Sequence, residues 1–124
     1  MLLTEKLYQL DVGIVALSDT IGVSDPTNIA PLFSTLIKEY PTIEFGSHFH
    51  TTPDKWEEKV DSAYQNGCRR FDTTIKGFGG CPMAKDDLTG NMPTEKLMTY
   101  FTEDLKLNKD EFEKSLELSN SIFS

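Results

Sequence analysis

Four side chains that can bind a metal ion or move a proton lie between residues 48 and 91 of the 124-residue chain. They are His48 and His50, then Cys81 at the end of a glycine-rich run, and Asn91 in a Gly-Asn pair. Imidazoles and an amide oxygen are ligands for a divalent cation, and a thiol near such a cation can act as acid, base or nucleophile. These residue types together predict a metal-assisted acid/base site.

The spacing of the two histidines predicts where their rings point. Residues two apart in a strand project to the same face, so His48 and His50 would share one side and Phe49 would face the other. As an isolated triplet, the pattern is better explained by two half-buried, hydrogen-bonded histidines. Its position at the end of a predicted strand favours a shared metal ion instead.

The other chemical residues are open to more than one interpretation. Asp19 is a ligand, a base or a strand-end cap, and Asn91 taken alone is typical of a turn. We expect Cys81, in a loop that its glycines allow to bend, to be the reactive thiol, and Cys68 to be a small packed hydrophobe. The glycines follow neither the dinucleotide-binding nor the P-loop spacing, so a phosphate cradle is not indicated.

The elements that must position these residues follow from the hydrophobic periodicity, which alternates between strand-like and helical. Strands are predicted over residues 13–17, 43–50 and 69–75, and a long loop from Lys76 to about Pro93. A short amphipathic segment covers residues 4–10. The first predicted helix runs from Asp25-Pro26 to before Pro41 and has a buried stripe of Ile29, Leu32, Phe33, Leu36 and Ile37. Further helices are predicted from Thr52-Pro53 to Asn66-Gly67, around Leu97, Met98, Phe101 and Leu105, and from an Asn108/Glu111 capping box through Phe123. Asp19, His48 and Cys81 then fall at the carboxyl ends of successive strands, where parallel α/β sheets place their chemistry.

Composition limits the function classes. The length suits one domain over residues 1–124, and a net charge of −8 without a basic stripe argues against nucleic acid and membrane surfaces as partners. Two cysteines are too few for a disulfide scaffold, and the first residues do not read as a secretory signal. We therefore expect a cytoplasmic location.

Four motifs occur in an order that belongs to a known family: Asp19-Thr20-Ile21-Gly22-Val23, His48-x-His50, Gly77-Phe78-Gly79-Gly80-Cys81-Pro82 and Gly90-Asn91. On these motifs the chain resembles the hydroxymethylglutaryl-CoA lyases, a metallolyase family related to the isopropylmalate synthases. The resemblance implies a TIM (β/α)₈ barrel that cleaves hydroxymethylglutaryl-CoA, an acyl-CoA substrate, into acetyl-CoA and acetoacetate, as in leucine degradation. It further implies that His48, His50 and Asn91 bind a divalent metal, Mg²⁺ or Mn²⁺, that Cys81 transfers protons, and that Asp19 and His48 belong to the catalytic set.

The resemblance covers only the carboxyl-terminal part of such a barrel, which typically needs about 250 residues. It implies an α/β fold with about three βα units, equivalent to strands 6 to 8, and a C-terminal helix. The chain lacks the Arg-Asp pair that ends the family's first strand, and Arg69 and Arg70 begin the third predicted strand, at the opposite end of the sheet. We expect a missing N-terminal half or self-association to complete the barrel. The alternatives are a non-catalytic barrel remnant that oligomerises, or a related acyl-CoA aldolase or synthase.

Overall fold

The computed structural model describes residues 2–80, 89–102 and 105–123 of the chain. Strands and helices alternate along its first half. In chain order the elements are α1 (Leu2–Gln9), β1 (Ile14–Asp19), α2 (Pro26–Glu39), β2 (Glu44–Thr51), α3 (Trp56–Gln65), β3 (Arg70–Phe71), a 3₁₀ turn (Ile75–Gly77), β4 (Gly90–Asn91), α4 (Thr94–Tyr100) and α5 (Lys109–Ile122). None of the helices in these residues is long and apolar enough to cross a lipid bilayer.

The strands form one sheet in which β2 is the central strand. β1 pairs with β2 in parallel, from Ile14 opposite Glu44 to Asp19 opposite Phe49, and β3 pairs in parallel with the other side of β2. β4 is antiparallel to the last two residues of β2. Parallel strands joined by helical crossovers confirm the predicted α/β class.

The core lies on one face of this sheet, between β2 and helices α2 and α3. Phe45 and Phe49 of β2 are buried there, and the rings of Phe33 and Phe49 meet edge to face with centroids 6.2 Å apart. On the other face of β1, Ile14, Ala16 and Ser18 are exposed. The described residues therefore cover one face of the sheet and leave the other face of β1 open.

Helix α2 begins as predicted, and α3 does not. The Asp25 carboxylate accepts a hydrogen bond from Thr27 N, the Asn28 side chain accepts one from Asp25 N, and Pro26 is the first helical residue. The prediction that α3 starts at Thr52-Pro53 is wrong. Residues 52–55 instead form a turn in which Lys55 N donates to Thr52 O, and the helix begins at Trp56.

The third strand is shorter than the predicted 69–75, because the chain leaves β2 after Asp72 N donates to Ser47 O. Thr74 instead forms a bridge with Pro93, so the two ends of the predicted loop lie side by side. Helix α4 ends at Tyr100, and both Phe101 and Leu105 lie outside it, contrary to prediction. The Asn108 cap of α5 is confirmed by its bond from Glu111 N, although the Glu111 carboxylate bonds to Lys114 instead of returning to the cap.

The predicted buried stripe of α2 is correct except at Leu32, which is exposed, and at Ile37, which is only partly buried. Ile29, Phe33 and Leu36 are buried, whereas Leu32 is 47% exposed beside the open edge of β1. A helical stripe predicts which side chains share a face, but burial also needs a neighbouring element, and the described residues place none over Leu32.

This difference gives a prediction about stability. Leu36→Ala removes a side chain that is 3% exposed, and we expect it to lower the free energy of unfolding by about 2–5 kcal/mol. Leu32→Ala is the matched control on the same helix and is expected to cost less than about 1 kcal/mol. Urea unfolding of both variants checks this, and equal losses would contradict the assignment of the core face.

Candidate functional site

Four of the predicted site residues, Asp19, His48, His50 and Asn91, lie around the carboxyl end of β2. Phe45 and Phe49 of this strand are buried in the core, and His48 and His50 alternate with them onto the opposite face. The two imidazole centroids are 5.5 Å apart. The predicted arrangement, with both rings on one side and Phe49 on the other, is confirmed.

The protonation of the His50 ring follows from its partner. His50 is buried, and its Nδ1 lies 2.8 Å from the backbone carbonyl oxygen of Asp19, at the end of β1. A carbonyl can only accept, so Nδ1 carries the hydrogen and donates it. In the neutral ring, Nε2 then holds the lone pair that a metal ion needs.

His48 is arranged in the same way by a different partner. Its Nδ1 lies 3.2 Å from Asp72 Oδ2, and both side chains are 45% exposed. An ionised carboxylate is likewise only an acceptor, so this contact also favours hydrogen on Nδ1 and a lone pair on Nε2. Asp72 was not among the predicted site residues. Its position just after β3, the next strand end beside His48, was the available signal.

Asn91 joins the histidines through β4. It lies directly opposite His50 in the antiparallel pair, and cross-strand partners project to the same face with Cβ atoms about 4.5–5.5 Å apart. The Asn91 Nδ2 group donates to Phe78 O at 2.8 Å, which assigns the orientation of the amide. The remaining amide atom, Oδ1, is the one able to bind a cation.

The glycines around this site allow backbones to approach closely. Gly77 has φ of 66°, and a Cβ there would lie 2.7 Å from the carbonyl oxygen of Asn91. A Cβ on Gly90 would lie 2.8 Å from Gly77 O, and one on Gly79 (φ 83°) would lie 2.8 Å from Asn91 Nδ2. Side chains at these positions would push residues 77–79 apart from the segment that carries Gly90 and Asn91.

The start of the glycine segment is tied to α4 and α5. Lys76 has a left-handed φ of 56°, its backbone N donates to Glu95 Oε2 at 2.9 Å, and its Nζ bonds to Asn120. The rings of Phe78 and Phe123 lie 4.6 Å apart. The two C-terminal helices therefore support the segment on which Asn91 depends.

Asp19 lies next to the histidines, but its carboxylate faces away from them into a buried ion pair. Oδ2 accepts from Lys59 Nζ at 2.7 Å and from the backbone and hydroxyl of Ser24. Burial raises the pKa of Asp19, but the hydrogen bonds from Lys59 and Ser24 and the charge of Lys59 outweigh burial and hold it below its ordinary value. The carboxylate is therefore ionised at neutral pH and fixed in position by Lys59 and Ser24.

The two cysteines differ in what the structure tells about them. Cys81, the predicted catalytic thiol, lies outside the described residues. Cys68 is fully buried against the sheet, and burial raises the pKa of its thiol. The interpretation of Cys68 as a packed hydrophobe is confirmed.

The two arginines lie toward the amino end of the sheet, as expected, although Arg70 is paired with Gly46, only two residues before His48. Arg70 Nη1 is 3.9 Å from Glu44 Oε2 at the amino end of β2, and Arg69 Nη1 bonds to the carbonyls of Tyr64 and Cys68. Within residues 2–80, 89–102 and 105–123, no three His, Cys, Asp or Glu side chains are close enough together to hold a metal ion. The described donor set is thus two imidazoles and the amide of Asn91.

Comparison with known proteins gives a consistent picture. A family model described as HMGL-like matches residues 1–122. The hydroxymethylglutaryl-CoA lyase of Pseudomonas mevalonii is 36% identical over 93 residues, which are 75% of this chain and 31% of that protein. The (R)-citramalyl-CoA lyase of Chloroflexus aurantiacus is 32% identical over 99 residues, 80% of this chain and 31% of that protein. The chain spans about a third of the length of these curated relatives.

The fold agrees with a solved structure. The HMG-CoA lyase from Brucella melitensis superimposes on 96% of this chain, using 43% of its own, with a TM-score of 0.80 and 25% sequence identity. This match confirms the predicted fold class, a part of a (β/α)₈ barrel.

The glycine contacts give a prediction for this site. Gly77→Ala would place a Cβ against the Asn91 carbonyl oxygen, and residue 77 would keep a left-handed backbone conformation that alanine rarely adopts. We expect the variant to lower the free energy of unfolding by at least about 1–2 kcal/mol. Gly13→Ala, where a Cβ meets nothing within 4 Å, is the control and should change stability by less than about 0.5 kcal/mol. Urea unfolding and the NMR signal of the Asn91 side-chain amide report the effect. An unmoved amide signal in folded Gly77→Ala would argue against the contact.

Proposed function

Because the chain belongs to the HMGL-like family, we propose that it is the carboxyl-terminal part of a metal-assisted carbon–carbon lyase acting on hydroxymethylglutaryl-CoA. Membership of this family agrees with the resemblance found in the sequence motifs. The observation that carries the proposal is the pair of imidazoles at the end of β2, both held by Nδ1, with Asn91 directly opposite His50. This is the arrangement expected of metal ligands with outer-shell partners.

The donor set fits a divalent cation. His48 and His50 each have Nε2 available as a ligand atom, and the Asn91 amide is oriented so that its oxygen is on the side away from Phe78. Imidazole nitrogens are common zinc ligands and an amide oxygen suits Mg²⁺ or Mn²⁺, so the donor set by itself accommodates Mg²⁺, Mn²⁺ or Zn²⁺. The family resemblance favours Mg²⁺ or Mn²⁺. When bound, such an ion polarises substrate oxygens and stabilises developing negative charge.

The reaction needs one proton removed and one delivered. Loss of the tertiary hydroxyl proton to a base lets the carbon–carbon bond break, which leaves acetoacetate and the enolate of the acetyl-CoA thioester. Protonation of that enolate carbon gives acetyl-CoA, so the protons balance without a further reactant. By the family resemblance, Cys81 takes part in this proton transfer, and Asp19 is a polar residue beside the reacting groups.

A complete barrel would need further strands, and the open edge of β1 is suited to receive them. An open groove of about 360 Å³ beside β1 is lined by apolar side chains that include Leu17, Val23 and Leu32. Ile14 and Ala16 are exposed on the face of the same strand that lies opposite the helices. We propose that an N-terminal barrel segment covers this edge with the strand that precedes β1 in the barrel. The same segment would bring the family's Arg-Asp pair on the barrel's first strand, which closes the barrel beside β3. Self-association is the alternative.

A second substrate is favoured by one of the relatives. The (R)-citramalyl-CoA lyase matches more of this chain than the Pseudomonas mevalonii enzyme does, at slightly lower identity. Citramalyl-CoA is also a hydroxyacyl-CoA, so the same bound metal ion and the same two proton transfers would serve its cleavage. The oxo acid released from each substrate distinguishes the two candidates.

The cytoplasmic location stays a prediction, since the relatives include proteins named mitochondrial and proteins named cytoplasmic.

Complementation tests the proposed activity. The chain is co-expressed with the N-terminal two-thirds of the Pseudomonas mevalonii lyase, and hydroxymethylglutaryl-CoA cleavage is measured with Mg²⁺ or Mn²⁺. We expect activity from the pair and none from either part. His48→Ala should then lower kcat/KM by more than about 100-fold, since loss of even an outer-shell partner costs about 10–100-fold. A stable complex without cleavage of either hydroxyacyl-CoA would indicate the non-catalytic alternative.

Metal binding is tested separately on the chain as it is. Binding of Mn²⁺, followed by electron paramagnetic resonance, should weaken strongly in His48→Ala, and by about 10–100-fold in Asp72→Asn because the His48 ring loses its charged acceptor. Asp110→Asn, an exposed change on α5, serves as the control. Unchanged affinity in His48→Ala would refute the ligand assignment whatever the activity assay shows.

A further inference from the structure

Lys59 is the most buried charged residue in the described part of the chain. It lies on α3, its side chain is 1% exposed, and it is surrounded by the ends of β1 and β2. Its Nζ donates to Asp19 Oδ2 at 2.7 Å, to His50 O at 2.8 Å and to Gly22 O at 3.1 Å. An ammonium group has three hydrogens, so this geometry uses all of them.

Stability alone is a weak explanation for this arrangement. Removing two charges from water is expensive, and a buried ion pair is often replaceable by apolar side chains at no loss. The neighbouring positions Val60 and Ala63 on the same helix are buried and apolar, so the environment suits a hydrophobic residue. What Lys59 adds is a precise connection among three polar groups that converge beside His50.

These contacts form a closed ring of bonds around His50. Lys59 holds the Asp19 side chain and the His50 backbone carbonyl, while the Asp19 backbone carbonyl accepts the His50 Nδ1 hydrogen at 2.8 Å. Ser24 bonds to the same Asp19 carboxylate through its backbone and hydroxyl groups. One network thus fixes the imidazole of His50 through Asp19 O and the backbone of His50 through Lys59 Nζ.

We propose that Lys59 is a positioning residue that keeps His50 in its Nδ1–H tautomer and fixes the direction of Nε2. Asp19 then acts on the site through its backbone carbonyl, because its carboxylate is occupied by Lys59 and Ser24. His48 has its own acceptor, Asp72, and does not depend on this network. What Nε2 binds rests on the proposed function, but the tautomer itself does not.

The chain contains only two histidines, so the tautomers can be measured directly. Two-dimensional ¹H–¹⁵N NMR of the imidazoles, recorded where an ordinary imidazole is neutral, reports which ring nitrogen carries hydrogen. In the unaltered protein we expect Nδ1–H for His50. In Lys59→Met the His50 signals should move toward the mixture of an unconstrained ring, while His48 stays unchanged as the internal reference.

Two further variants keep the test decisive. Lys55→Met replaces an exposed lysine just before the same helix and should leave both rings unchanged. Because Lys59→Met leaves the Asp19 carboxylate buried without its cation, it can fail to fold. The double variant Asp19→Asn with Lys59→Met removes both charges, keeps the Asp19 backbone carbonyl, and should fold while still releasing the His50 tautomer.

The outcomes separate this inference from the proposed function. A folded Lys59→Met or double variant whose His50 ring stays fully Nδ1–H would overturn the positioning role, even if complementation gives an active lyase. A released His50 ring supports that role even if no lyase activity is found. Where Mn²⁺ binds the unaltered chain, the released variants should also bind it about 10–100-fold more weakly.

Discussion

The parallel pairing of β1 with β2 is the constraint on which the rest of the structure depends. Its register places Asp19 opposite Phe49, and this brings the Asp19 carbonyl within bonding distance of the next residue, His50. Phe49 points into the core against Phe33, so the flanking histidines must point to the other face. A slip of β2 by one residue would bury both imidazoles in the core and expose Phe49, which the loss of apolar burial forbids. The core therefore fixes the position of the polar site.

The glycine-rich motif serves packing more than flexibility at the positions that the structure describes. Gly77 and Gly90 lie where the two ends of the segment cross, and a Cβ at either position would meet a carbonyl oxygen below 3 Å. The crossing in turn places Asn91 opposite His50 and brings its amide to Phe78 O. The sequence showed that these glycines mattered and that they do not form a phosphate loop. Their partners were not predictable, because the contacts join backbones more than ten residues apart.

The sequence predicted the parts of the site that depend on local periodicity and missed those that depend on partners. The period of two in His48-x-His50 was enough to place both rings on one face. Lys59 was not singled out, since nothing local in the sequence indicates that Asp19, 40 residues earlier, lies 2.7 Å from its Nζ. The prediction for Leu32 was wrong for the opposite reason. The helical pattern correctly placed Leu32 beside the core-facing side chains of α2, but the described residues do not supply the element that would bury it.

The charges at the site indicate what the rest of a barrel would have to contribute. Two neutral imidazoles and an amide leave the charge of a dication uncompensated, and carboxylates are preferred ligands of Mg²⁺ and Mn²⁺. Both aspartates that bond to these histidines are already engaged, Asp72 by His48 and Asp19 by Lys59 and Ser24. An anionic ligand is therefore best supplied by a strand outside the described residues. By the family resemblance, this is the Asp of the Arg-Asp pair on the barrel's first strand, which would close the barrel beside β3, the last of the three parallel strands. If these imidazoles bind a metal ion as proposed, the same electrostatic requirement predicts that its full affinity is reached only in a completed barrel.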